Sequence, residues 1–119
     1  MVAARKLYIM VTDVIKPGKE AVCEKIMKEK FIPAMRKQEP SFKWRTFFPI
    51  IGDKISKMIL IAEINADHLV NYDEWIITSL EKVHGKEEAT RYLKEWYESL
   101  DSSQYTAIVE DPGWSNFSS

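Results

Sequence analysis

A few polar side chains sit where they could do chemistry. Arg45 lies within an aromatic run between Trp44 and Phe47. A guanidinium there must be paired or face a cavity. It either holds a carboxylate or phenolate in its planar donor fork, or forms a salt bridge, with Glu63 as partner if a hairpin places the two side by side. His68 follows a strand-like run and opens a helix, so it is either a general base reaching over a sheet end or a solvent-facing first-turn histidine. Asp13, near the end of the first strand-like run, would be a base if buried and a turn-forming residue ahead of Pro17 if not. His84 beside Gly85 suits the negative end of a helix dipole. Cys23, on an apolar stripe, reads as a small buried hydrophobe.

Other chemistries lack their residues. Two histidines and one cysteine make no recognisable ligand spacing, and Gly18, Gly52, Gly85 and Gly113 are isolated turn glycines rather than a phosphate loop. No metal and no other cofactor is expected. Tyr8, Tyr72, Tyr92, Trp44 and Trp96 together would make either an aromatic pocket for a flat apolar ligand or ordinary core.

The bulk properties bound the answer. At 119 residues, 45% hydrophobic and 12% aromatic, the chain can bury one core and is not disordered. A single domain over residues 1–113 and a tail over 114–119 are expected, with Trp114 docking on a neighbour. The formal charge of −1 (17 basic against 18 acidic residues) gives no field to attract nucleic acid or anionic lipid, so neither nucleic acid nor membrane is an expected partner. The single cysteine cannot close an internal disulfide, and no apolar run reaches the roughly 20 residues of a membrane span. No signal-peptide core precedes the first strand, so a cytoplasmic protein is expected. A charged fraction of 29% beside few amides (Gln38, Gln104, Asn65, Asn71, Asn116) fits a thermophilic source.

The elements that must position these groups follow from period and punctuation. Leu7 to Ile15 is β-branched and apolar nearly throughout and reads as a central strand, stopped by Lys16-Pro17-Gly18-Lys19. From Lys19 a helix carries Cys23, Met27, Phe31 and Met35 on one stripe, and Pro33 inside it must kink the helix near Lys30 or start a new one. Phe42 to Phe48 alternates Phe42, Trp44, Thr46 and Phe48 against Lys43, Arg45 and Phe47. Ile51-Gly52-Asp53-Lys54 offers hairpin-turn chemistry before a strand from Ile55 to Ile64. Asn65 caps a helix running to Gly85, Lys86 to Leu100 forms another, and Gln104 to Glu110 is a last strand.

Strand, helix, strand, strand, helices, strand is the split βαβ order of an α+β, ferredoxin-like fold, with a four-stranded antiparallel sheet and helices on one face. Both alternating sets of the third strand are largely aliphatic: Lys57, Ile59, Ile61 and Glu63, against Met58, Leu60, Ala62 and Ile64. Helices can shield only one set, so the other needs a partner sheet.

With this order, the Lys16-Pro17-Gly18-Lys19 turn, the Phe31-Ile32-Pro33-Ala34-Met35 stretch, the paired central strands and the Trp75-bearing helix, the chain resembles the dimeric α+β barrel superfamily from Leu7 to Asp111. The resemblance implies a sheet-to-sheet homodimer with a small pocket between each sheet and its helices. Members range from cofactor-independent oxygenases on polyketide-like aromatics to haem-degrading oxygenases, decarboxylases, isomerases and stress-related proteins. The haem-degrading members place a tryptophan and a histidine at an interval similar to Trp75 and His84, with an asparagine on the first strand; this chain has Thr12 and Asp13 there. The expectation is a small-molecule-binding or cofactor-independent oxygenase-like enzyme acting on a small aromatic or acidic ligand. Tyr8, Trp44 and Trp75 would line a pocket of several hundred cubic ångströms, Arg45 would orient the substrate and His68 would handle a proton. The alternative is a non-catalytic dimeric structural or stress-related module.

Overall fold

Alternation in the first strand decides which face of the sheet is interior. In the computed structural model, which describes residues 6–49 and 56–114, β1 (Leu7–Ile15) buries Ile9, Val11, Asp13 and Ile15 and leaves Tyr8, Met10, Thr12 and Val14 half-buried. β1 and β3 (Lys57–Glu63) form the middle of an antiparallel sheet ordered β2-β3-β1-β4. β2 (Trp44–Phe47) and β4 (Leu100–Val109) are its edges. The register sets Ile9 opposite Ala62, Val11 opposite Leu60 and Asp13 opposite Met58, so the buried row continues across the sheet.

Helices cover that row and leave the other open. α1 (Glu20–Ile26), a π-turn (Met27–Phe31) and α2 (Ile32–Gln38) follow β1. α3 (Ala66–Val70), α4 (Tyr72–His84) and α5 (Lys86–Glu98) follow β3, with α4 packed between α2 and α5. The core between the layers holds Ile15, Cys23, Ile26, Phe31, Ala34, Leu80 and Trp96. This is the expected α+β, ferredoxin-like arrangement. No described helix is long and apolar enough to cross a membrane.

Pro33 acts in both of the ways its position allows. It has no N–H to give, and the preceding turn widens so that the Ile32 N–H reaches the Met27 carbonyl; Pro33 itself sits in the first turn of α2. The Lys30 carbonyl is met from outside by His84 Nε2–H at 3.0 Å. His84 does stand at the C-terminus of α4, but its partner lies across the helix layer rather than on its own helix.

Three boundaries differ from the expectation. The helix expected from Asn65 to Gly85 breaks at Asn71, a residue whose side chain competes with helix hydrogen bonds. β2 is shorter than Phe42 to Phe48. β4 begins at Leu100, because pairing with β1 recruits the polar stretch Asp101-Ser102-Ser103 that no hydrophobic pattern marks, with a register shift between Val14 and Ile15. Gly85 joins α4 to α5 at φ +85°, a conformation L side chains rarely adopt. The expected turn at Ile51 to Lys54, the N-terminal residues 1–5 and the tail beyond Trp114 lie outside the described residues, and Trp114 itself is exposed.

Leu80 is fully buried under α4, where the surrounding elements hold the cavity open if it is trimmed. Leu80→Ala should therefore lower the unfolding free energy by about 2–5 kcal/mol in a denaturant titration. A loss below about 1 kcal/mol would mean that this side chain is not in a dry core.

Candidate functional site

The two faces of the sheet separate the residues that were expected to act together. Arg45 pairs in register with Ile61, on the open face, where it is exposed. Glu63 lies opposite Tyr8 on one side and donates its backbone N–H to the Lys43 carbonyl on the other, so the hairpin does not place it directly beside Arg45. Among the described residues Arg45 makes no ion pair. Tyr8 is also on the open face. Trp44, opposite Ala62, belongs to the helix-covered face, as does Trp75. A single pocket lined by Tyr8, Trp44 and Trp75 and reaching Arg45 is therefore not formed.

On the helix side an aromatic cluster forms instead. His68 stacks on Trp75 with ring centroids 4.1 Å apart and planes 4° from parallel. Seven residues along an unbroken helix rise about 10 Å, so the turn at Asn71 is what closes this stack. Asn65 caps α3 by accepting from the His68 backbone N–H at 2.8 Å. Trp75 meets the edge of Phe42 at 4.7 Å and donates its indole N–H to Glu39 Oε1 at 2.9 Å, tying α4 to the end of α2. Phe42 in turn lies 5.5 Å from Trp44.

Behind Phe42 and Trp44 lies a cavity of about 100 Å³ between the sheet and α2, α4 and α5. It is smaller than the several hundred cubic ångströms expected. A dry 150 Å³ cavity accepts benzene, so this space is about two-thirds of one that encloses a ring, and a bound ring would extend into its mouth. Its apolar wall includes Phe31, Met35, Phe42, Trp44, Leu60 and Trp96. Tyr8 is absent from that wall, and Tyr92 packs against His84 and under Lys30 instead.

The polar end of the cavity is where acid–base chemistry is possible. Asp13 lines it and is only 4% exposed; Ser103 Oγ donates to its Oδ1 at 2.5 Å. Burial pushes the Asp13 carboxyl above its ordinary range, and the Ser103 hydrogen bond offsets part of that. Tyr72, Tyr97, Tyr105 and Asp73 complete this end. Burial, with the charge of Asp73, pushes the Tyr72 phenol up to about 12 and raises Tyr97 and Tyr105, so all three remain protonated. Cys23 is buried, and burial with the nearby Asp13 charge raises its thiol, so it is no nucleophile. Among the described residues no three or more His, Cys, Asp or Glu side chains are gathered to hold a metal ion.

Asp13 was legible: its period-two neighbours Ile9, Val11 and Ile15 all point inward. Tyr97, Tyr105 and Asp73 were not, because they come from three elements whose meeting no local pattern encodes.

No family model and no curated protein matches the chain. Solved structures do. A NIPSNAP family protein of unknown function from Agrobacterium tumefaciens str. C58 superposes with a TM-score of 0.65 at 14% identity, covering 88% of this chain and 87% of that one. A second NIPSNAP family protein from the same organism gives 0.66 at 14% identity, covering 94% and 91%. A candidate antibiotic biosynthesis monooxygenase from Caulobacter crescentus CB15 gives 0.55 at 11% identity, covering 87% and 88%. The chain shares the α+β, ferredoxin-like fold of these proteins. At such identities the likeness concerns fold, and activity must be argued from the site.

A buried carboxyl with a raised pKa costs stability once it ionises. The contribution of neutral Asp13 is fully present below the unfolded value near 3.9 and is lost as pH rises through the higher folded value. Asp13→Asn should raise the thermal midpoint over wild type at pH 7.5, with the gap closing by about pH 3. Equal midpoints at pH 7.5 would mean that this carboxylate is solvated.

Proposed function

We propose that this protein is one half of a sheet-to-sheet homodimer and that its cavity binds a small aromatic molecule for an oxygenase-like, cofactor-independent reaction. The observation that carries the reading is Asp13, a carboxylate held under the helices at the polar end of a largely apolar cavity. A base there meets a substrate stripped of water, and its raised pKa strengthens it.

The step balances with dioxygen as co-reactant. Asp13 takes a proton from a ring-activated CH₂, and the electron pair left on carbon passes to O₂ with formation of a C–O bond. Cleavage of the O–O bond and loss of the second C–H proton then give R₂CH₂ + O₂ → R₂C=O + H₂O. Trp44 contacts the ring in this proposal, while His68 and Trp75 hold Phe42 in the wall from behind. The neighbour from Caulobacter crescentus, described as a candidate antibiotic biosynthesis monooxygenase, adds support. A cytoplasmic setting and a thermophilic source belong to the same proposal, on the composition already given.

Oxygen uptake with a panel of single-ring phenols and benzylic ketones tests it. Asp13→Asn should lower kcat by about 10²–10⁴, the usual worth of a general base. Uptake no greater in wild type than in Asp13→Asn across the panel would leave the non-catalytic dimeric module as the reading.

The dimer rests on the open face, where Met10, Ile59, Ile61 and Ile108 are half-buried within one protomer, with Arg45, Lys43 and Gln104 toward its edges. Two such faces together remove an apolar patch from water. Ile59→Asp, opposite Thr12 and Phe47, would bury an unpaired carboxylate there, so light scattering should report monomer at concentrations where wild type is dimeric. A dimer that survives the substitution would rule out this geometry.

A further inference from the structure

We infer that the mouth of the cavity is a cation site, so that the ligand carries an ammonium group held by Asp73 within a ring of Tyr72, Tyr97 and Tyr105. The inference rests on the cavity being a small-molecule site and adds the charge of the molecule that enters it. It also parts from the expectation of an acidic ligand oriented by Arg45, since Arg45 is on the other face of the sheet.

The side chains lining the cavity are one-sided in charge. They include the carboxylates of Asp13 and Asp73 and three phenols, and none of the described lining residues is a lysine, arginine or histidine. A carboxylate or phenolate ligand would meet two like charges with no counter-charge among the described lining residues. An ammonium would meet attraction from both.

The mouth has the geometry for it. Asp73 is exposed in the first turn of α4, whereas Asp13 lies deep, so one carboxylate can hold charge at the entrance while the other remains the base inside. Three elements bring phenols around Asp73: Tyr72 from α4, Tyr97 from α5 and Tyr105 from β4. The Asp73 charge bears on all three phenols, and Asp73 lines the cavity with them. Tyr72 and Tyr105 meet at 63° with centroids 5.6 Å apart, which turns their ring faces to different sides of the entrance. Tyr97 and Tyr105 are 48% and 44% exposed, so the entrance is open to solvent. The negative faces of such rings attract an ammonium, and a nearby carboxylate adds to them. None of these residues lies on the open sheet face, so the site is compatible with the dimer.

Isothermal titration with three probes of one shape tests this: 2-phenylethylamine, neutral 2-phenylethanol and anionic 3-phenylpropanoate at pH 7.5. The amine should bind at least about tenfold more tightly than the alcohol, the scale of a partly desolvated cation over aromatic faces, and the propanoate should bind more weakly than either. Asp73→Asn should remove the amine's advantage while leaving alcohol affinity unchanged, and Asp73→Glu should restore part of it. Equal affinities for amine and alcohol in wild type, or an advantage that survives Asp73→Asn, would overturn the cation site while alcohol binding keeps the cavity reading. Failure of all three probes to bind would overturn both.

Discussion

Much in this molecule depends on β1 running through the middle of a sheet whose helices cover one side. Period two then sorts its residues into a row under the helices and a row on the open face, and a hydrogen-bonded neighbour on each side carries both rows across the sheet. The covered row is Ile9, Val11, Asp13 and Ile15. Three of these are what a core requires, and the fourth is a charge that the same constraint forces into the interior. Asp13 cannot swing to water without slipping the register, and a slip of one residue would expose the whole apolar row. The strand that secures the core thus also holds the carboxylate against the cavity.

The helix layer obtains its shape from local irregularities, each with a physical cause. Pro33 widens the turn before it, and His84 answers the Lys30 carbonyl, so a break in one helix is tied to the end of another. Asn71 ends α3 and lets His68 fold back on Trp75, which in turn braces Phe42 and is anchored by Glu39. An uninterrupted helix from Asn65 to Gly85 would carry His68 away from that cluster. The cavity lies where these braced aromatics stop short of the sheet, with its polar end at the β1, β4 and α4 junction.

Strand β1, the amphipathic helices, the Gly85 junction and the two-faced β3 were readable because each depends on neighbours close in sequence. The start of β4 was not, since Asp101 to Ser103 are strand only because β1 offers them hydrogen bonds. Arg45 shows the same limit. Its position between aromatics marked it as unusual, and its face in the alternation was correctly assigned, yet which face the helices would cover was a matter of the whole fold. Tyr8 was assigned to the wrong side for the same reason.

The sequence by itself determined the element order, the split βαβ topology and the presence of more apolar sheet surface than one set of helices can cover, because period and turn chemistry are local properties of a chain. Tertiary structure alone decided that Asp13, Asp73, Tyr72, Tyr97 and Tyr105 meet at one cavity and that Arg45 and Tyr8 do not join them. Those distances depend on register, strand order and helix packing, and residues so far apart in sequence carry no record of them until the layers close.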